Sequence, residues 1–524
     1  MQFASDPPIA IKIHKMKQRV RWQEPLIVER GIDQTRLMLD DRTSDSPEFS
    51  FLVIGDSGTG RHRGHDPQRH LAERMVHQCD RCRFILHTGD VVYLVGSSEY
   101  YYQNFIEPYR EFLVGGDHPQ RIAYDNMVFK LPFLPVPGNH DYYDLPLIYG
   151  LIAQASWPLR RLLRSRIDLD VGWYGSGQGK AYAKAFLDYL IGFKLPGTLE
   201  HHLDCHYTAQ TDTGRCLRYQ PGHFTRLPNR YYTFRSGGID FFALDSNTFN
   251  TPSPIPATSE GEAFRRLLEK RHQELEQQKL QILETSNTLN PDNPEEAEQL
   301  DDLDAKLEQI EELTLDINKQ LASDETNAID VEQLNWLRQR LIESWHTQEV
   351  RGRIIYLHHP PYVTEATKWY QAQTLAIRGY LRQVLNAVSE VVGSLAQGRP
   401  LVDLILTGHA HCLEHLYTLD TGHADSYLNW IVCGGSGYSL RRQRTEGSDI
   451  MESFGFSEDS YSRRVAKSLL FVGRQGHGSQ KRRPYSFLRI DVQDGNPPKF
   501  RVQPIIAERF QGKWSDRTIE PFVI

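Results

Sequence analysis

Residues 49–58 read FSFLVIGDSG, a mostly apolar, strand-forming run that stops at a glycine and presents Asp56. An apolar run ending at such a donor recurs four times further along the chain, three of them with the glycine. RFILHTGDVVY (83–93) presents Asp90, PFLPVPGNHD (132–141) presents Asn139, RIIYLHHP (353–360) presents His358, and VDLILTGHAH (402–411) presents His409 and His411. Short apolar runs bounded by turn residues read as buried strands. In open α/β sheets, ligand-binding groups collect just beyond strand ends. Aspartate, asparagine and histidine are hard oxygen or imidazole donors suited to first-row metals, and the set is large enough for two ions. Two ions about 3.5–4 Å apart form a clamp for in-line attack on phosphorus.

The five motifs, in this order and strand context, resemble those of the calcineurin-like metallophosphoesterase superfamily. Two details are similar to its purple acid phosphatase branch. Asp56 is followed by Ser57 and Gly58 rather than by the Asp-x-His of most of the superfamily, and Tyr93 closes GDVVY. The resemblance implies that Asp90 bridges two metal ions, that Asp56, Tyr93 and His411 complete the first shell, and that Asn139, His358 and His409 complete the second. It implies iron at the first position and Zn, Mn or Fe at the second. His140 would stand over the phosphoryl group as a proton donor or hydrogen-bond donor, with Asp141 orienting its ring. His359 adjoins His358 and either could be the ligand. The H-x-P frame favours His358, and alternation along an extended chain turns His359 the other way.

The expected activity is hydrolysis of phosphate esters, with hydroxide generated at the metals attacking phosphorus in line. A phosphomonoesterase of the acid-phosphatase kind is the leading expectation, and a phosphodiesterase or nucleotidase on the same site is the alternative. A reading from another class is a coiled-coil scaffold with a vestigial metal site. GDSG lacks the G-x-S-x-G frame of a serine nucleophile. GSGQGK at 175–180 is not a phosphate-binding P-loop, because Ala181 follows the lysine.

Composition sets the class of molecule. The hydrophobic content of 39% and aromatic content of 11% are those of a soluble globular protein. No stretch approaches the ~20 apolar residues of a membrane span. The N-terminus lacks an uninterrupted apolar segment with a cleavage site, so the expectation is a cytoplasmic protein. No nucleic-acid-binding motif is present, and a small phosphorylated molecule is the expected substrate. Six cysteines in 524 residues are too few for a disulfide framework, and Cys79-x-x-Cys82 reads as a pair of structural thiols.

Charge is unevenly distributed. Residues 259–330 carry 20 acidic and 7 basic side chains, a net of −13, against −7 for the whole chain, so the remainder carries +6. Within this segment Leu268, Leu275, Ile282 and Leu289 recur every seven residues, and Leu300, Leu303, Leu307, Ile310, Thr314, Ile317 and Leu321 step by three and four. These are coiled-coil seams, and the NPDNP at 290–294 between them breaks the helix. An antiparallel hairpin follows, closed on itself or pairing with a partner protein or a second copy.

The expected fold is a four-layer α/β/β/α sandwich with this hairpin inserted. Residues 1–48 form an N-terminal extension, 49–258 and 331–524 the two parts of the metallophosphoesterase domain, 142–230 a lid-like insertion and 259–330 the hairpin. The arginine-rich WPLRRLLRSR at 157–166 reads as a solvated surface helix, with peripheral membrane contact the lesser reading. The stretch 434–483 reads as irregular and basic, either a solvated loop or a source of arginines for a substrate phosphate.

Overall fold

A computed structural model describes residues 4–40, 46–59, 62, 65–144, 175–290, 293–324, 326–454, 461–477 and 480–524. Each apolar run that precedes a motif is a strand. In chain order the strands are β1 (Ile32–Leu39), β2 (Phe49–Ile54), β3 (Cys82–His87), β4 (Phe133–Pro135), β5 (Ala209–Thr211), β6 (Gly214–Tyr219), β7 (Tyr232–Ser236), β8 (Ile239–Ala243) and β9 (Gly352–Tyr356). They continue with β10 (Leu404–Thr407), β11 (Leu413–Thr418), β12 (Asn429–Cys433), β13 (Asp449–Phe454), β14 (Tyr461–Val472), β15 (Arg482–Gln493), β16 (Lys499–Phe510), β17 (Lys513–Thr518) and β18 (Phe522–Val523). The helices are α1 (Ile9–Arg19), α2 (Pro25–Glu29), α3 (Pro67–Gln78), α4 (Lys180–Phe186), α5 (Pro196–His206), α6 (Ser259–Ser286), α7 (Pro294–Ala322), α8 (Val331–His346) and α9 (Ala372–Val392).

Among the described residues the strands form two mixed sheets. One has eleven strands in the order β13-β14-β11-β12-β10-β9-β8-β7-β1-β6-β5, and the other seven, β17-β16-β15-β2-β3-β4 with β18 beside β16. Within each sheet the motif-bearing strands run parallel to one another: β2, β3 and β4 in the smaller sheet, β9 and β10 in the larger. Parallel pairing brings their C-terminal ends, and therefore the motif residues, to one side of each sheet.

The two-residue period of a strand explains how the layers stack. In β8, β9 and β10, Phe241, Ile354, Tyr356, Leu404 and Leu406 join the core that also holds Phe51, Leu52 and Phe84 of the smaller sheet. The intervening Phe242, Ile355 and Ile405 face a second core shared with Trp336, Leu337 and Leu341 of α8 and Ile377, Leu381 and Leu385 of α9. Aromatic edges lock the sheets together, with the Phe51 and Phe241 rings 5.5 Å apart at 88°. α3 packs on β15 and β16 of the smaller sheet. Strands buried on both faces read as continuous apolar runs, which is why FSFLVI shows no alternation.

Residues 4–40 supply more than a surface extension, since β1 is inserted in the larger sheet between β6 and β7. The stretch 434–483, read as irregular, contains the antiparallel pair β13 and β14. The segment WPLRRLLRSR lies outside the described residues. In the acidic insertion, α6 starts at Thr258, whose side chain accepts from the Gly261 N–H, and carries Glu260 and Glu262 in its first turn; both features favour an N-terminus. α6 and α7 bury Leu275, Ile282, Ile310 and Ile317 against each other, four of the residues whose spacing marked the seams.

Candidate metal centre

The loops after β2, β3, β4, β9 and β10 converge, and all seven residues singled out as ligands from the sequence are buried there. The Tyr93 hydroxyl donates to Asp90 Oδ2 at 2.8 Å, lies 3.1 Å from Asp56 Oδ1 and is 3.4 Å from His411 Nε2. Asn139 Oδ1 is 2.8 Å from His358 Nε2, which is 3.4 Å from Asp90 Oδ2. Asp90 therefore faces both groups of donors. Its other oxygen accepts the His140 N–H at 2.9 Å, as Asp56 Oδ2 accepts the His409 N–H at 2.8 Å.

The backbone is shaped to allow this convergence. Asp56, Asp90 and His409 have φ values of 53°, 56° and 65°, left-handed conformations uncommon outside glycine and concentrated at functional sites. A Cβ on Gly138 would fall 2.1 Å from Asp90 Oδ1, so only glycine lets the GNHD loop approach that carboxylate.

The donors fit a bound cation on two grounds. First, His358 Nδ1 lies 2.9 Å from the Thr88 carbonyl, and its Nε2 also faces oxygen acceptors. A neutral imidazole has only one N–H, so in the protein alone His358 carries an extra proton and its pKa rises to about 9: burial opposes that charge, but Asp90 and Asp56 favour it more strongly. A metal ion satisfies the same oxygens without that proton. Second, His409 Nε2 and His411 Nδ1 are buried with no hydrogen-bond partner among the described residues, which is costly unless something else engages them. Carboxylate crowding adds to this. Burial and the nearby Asp90 charge push Asp56 up to about 7, whereas Asp90, despite burial, is held well below the usual range by His358 and His140.

The ring nitrogens of His358, His359 and His409 lie within 4.8 Å of one another. His359 Nδ1 is 2.8 Å from Ser246 Oγ, so His359 turns away from Asp90 as strand alternation predicts, yet it stays beside His409. Asp141 differs from expectation. The His140 ring is held instead by the Leu94 carbonyl, 2.6 Å from Nδ1. Asp141 accepts backbone N–H groups of Gly138 at 2.9 Å and Val91 at 3.2 Å, because a carboxylate next to two glycine-turned loops finds their free amides first. It ties the GDVVY loop to the GNHD loop.

Tyr438, Leu94 and the acidic residues of α6 and α7 at the site had not been singled out. Tyr438 stacks on Tyr93 with ring centroids 4.1 Å apart. Next to the donors, at His140, opens a cavity of about 340 Å³ lined by His140, Tyr143 and Leu94 and by Glu276, Glu308 and Glu312 of α6 and α7; none of the seven donors lines it. Glu312 Oε1 is 3.9 Å from His140 Nε2 and its Oε2 is 2.5 Å from Lys368 Nζ. One signal for the roof was in the sequence. Asp302, Ala305, Glu308, Glu312, Asp316 and Lys319 step by three and four along α7, a second stripe beside the apolar one.

No protein-family model and no curated protein matches the chain. Among solved structures, GAP50, the anchor in the inner membrane complex of Plasmodium, aligns at 12% identity and a TM-score of 0.38, over 91% of this chain and 88% of that one. The purple acid phosphatase PPD1 from yellow lupin (Lupinus luteus) seeds aligns at 11% identity and a TM-score of 0.38, over 91% of this chain but only 54% of its own. PhoD aligns at 11% identity and a TM-score of 0.37, over 92% of this chain and 70% of its own. At these scores the likenesses carry no functional argument, and the reading rests on the site.

Proposed function

We propose that this chain is a dinuclear-metal phosphoesterase of the metallophosphoesterase type, acting on phosphomonoesters, with Asp56, Asp90, Tyr93, Asn139, His358, His409 and His411 holding the two ions. The observation that carries the reading is the placement of Asp90 between two donor groups brought from five strand ends, with His358 Nε2 poised among oxygens. The two packed sheets with helices outside are read as the corresponding α/β/β/α sandwich, and α6 and α7 as its inserted coiled-coil hairpin. Two bound ions of this kind supply Lewis acidity toward a phosphoryl oxygen and lower the pKa of water toward neutrality. The Tyr93 phenol and the Asp56 and Asp90 carboxylates favour iron at one position, and the imidazole and amide donors suit Zn, Mn or Fe at the other.

The protein's own groups supply the rest. The Leu94 carbonyl accepts from His140 Nδ1, and although burial opposes it, Asp90 and Glu312 raise the His140 pKa, so that in its imidazolium form Nε2 also carries a proton with which to hydrogen-bond a phosphoryl oxygen or protonate a leaving alkoxide. Asp141 holds the two ligand loops in register. Tyr143 and Leu94 give the leaving group an apolar wall. Among the described residues no helix is long and apolar enough to cross a membrane.

Elemental analysis with a visible spectrum tests the proposal. Two metals per chain, including iron with a broad visible band, are expected from a tyrosinate at Tyr93. Chain that binds no metal after reconstitution would overturn the reading. Comparing p-nitrophenyl phosphate with bis-p-nitrophenyl phosphate separates a monoesterase from a diesterase.

A further inference from the structure

Resting on the phosphoesterase reading, the groups around Glu312 carry a second inference. Lys368, in the loop after β9, has a side chain 1% exposed, and its ammonium is paired with Glu312 Oε2. Arg441, 3% exposed, hydrogen-bonds through its backbone N–H to the His411 carbonyl at 2.9 Å. One guanidinium nitrogen donates to the Ala305 carbonyl of α7 at 2.8 Å, while its Nε and Nη2 find no partner among the described residues. Both cations stand close enough to the candidate ligands to act on them electrostatically, Lys368 on His409 and His411, Arg441 on His411. His140 Nε2 lies 3.9 Å from the other oxygen of the same carboxylate, Glu312 Oε1.

Burying a lysine and an arginine beside a metal-ligand cluster is costly unless an anion meets them, and their donors are those that bind phosphate oxygens. Lys368 is met here by the Glu312 carboxylate of α7, and the Arg441 guanidinium, bonded to the Ala305 carbonyl of the same helix, lies within electrostatic reach of that carboxylate. We propose that Lys368, Arg441 and His140 form the subsite for the phosphoryl group of the substrate, and that Glu312 occupies it as an internal surrogate, so that α7 plugs the site until substrate displaces it. A carboxylate presents two oxygens and one negative charge, the features by which a phosphate monoanion would be held. The cavity beneath Glu308 and Glu312 is where the remainder of an ester would lie once the plug shifts.

The test is calorimetric titration of inorganic phosphate into full-length, manganese-loaded protein, comparing the parent with Glu312→Gln, Lys368→Met and the double variant. A plug lowers apparent affinity by the fraction of time it leaves the site open. Glu312→Gln is therefore expected to bind phosphate about tenfold or more tighter than the parent, and Lys368→Met in that background to lose the gain. Equal or weaker binding by Glu312→Gln overturns the plug while leaving the phosphoesterase reading in place. No phosphate binding by any form overturns both. If Glu312→Gln does not fold, amide exchange of the parent decides. Phosphate should accelerate exchange in the body-facing turns of α7, and unchanged or slowed exchange there sinks the proposal.

Discussion

The seven donors hang from strand ends hydrogen-bonded into two sheets, a floor to the site, whereas Glu308 and Glu312, which line the cavity at His140, ride on α7, a roof held to the body by ion pairs and hydrogen bonds. Below, geometry is inherited from the sheets: β2, β3, β4, β9 and β10 are buried along almost their whole length. Above, α7 meets the body at Asp302, bonded to Arg474, Lys481 and Arg483, at Asp316, which accepts the Ala372 and Gln373 amides at the start of α9, and at Lys319, paired with Asp6. A floor made this way comes apart only with the fold. A roof made this way has an apolar seam of its own and can lift while the floor stays intact, as elements of low local stability do.

The largest effects are expected in the floor. Asp90→Asn removes the oxygen charge shared by both donor groups and should abolish metal binding and phosphatase turnover together, read by elemental analysis and p-nitrophenyl phosphate hydrolysis. Turnover that survives without metal would break the account of the floor. His140→Ala should lower kcat by about 10²–10⁴ with metal content unchanged. Loss of metal in that variant would move His140 from the proton-transfer role to a ligand-supporting one.

The two regions also differed in how far the sequence revealed them. The strand ends were legible because each buried run stops at a donor, four of the five after a glycine, and donors of compatible chemistry in one order leave few arrangements open. The helices α6 and α7 were legible for the same local reason, the heptad spacing of their apolar residues. What spacing could not supply was docking. The stripe Asp302, Glu312, Asp316 along α7 reads as a solvated acidic face until its partners are known, and those partners, Lys368, Arg474, Lys481 and Arg483, lie in loops and strand ends far along the chain. The basic stretch 434–483 was read for its charge, but several of its cations meet α7, Arg441 at the Ala305 carbonyl and Arg474, Lys481 and Arg483 at Asp302; Arg441 still keeps Nε and Nη2 without a partner among the described residues. Asp141 was misjudged because its best partners, the Gly138 and Val91 amides, depend on loop geometry that adjacency to His140 does not encode.

A substitution inside the seam sharpens the contrast. Ile310 is 3% exposed between α6 and α7, and Ile310→Ala should cost about 2–5 kcal/mol. If roof and floor are separate cooperative units, amide exchange will speed up through α6 and α7 while the sheets keep their protection. A matching loss of protection in β2 and β9 would show that the two regions unfold as one and that the distinction drawn here is wrong.

The smallest effect comes from the docking contact furthest from the donors. The Asp302 carboxyl is held below its ordinary range: burial acts the other way but is outweighed by the bond from Lys481 and the charges of Arg474 and Arg483. A depressed folded-state pKa contributes stability above the unfolded value, 3.8 for this group, and loses it as pH falls through the folded value. Asp302 is 17% exposed, so solvent screens the network, and Asp302→Asn should cost about 1 kcal/mol of docking free energy. The difference between parent and variant, measured by amide exchange of α7, should be constant from neutral pH to about pH 5 and narrow only below the unfolded carboxylate value. A difference that already fades between pH 7 and 5 would mean that a histidine, not Asp302, governs how α7 is held. High salt should shrink it at any pH, whereas the exchange protection of β2 and β9, which rests on buried apolar contacts, should stay unchanged in the same experiment.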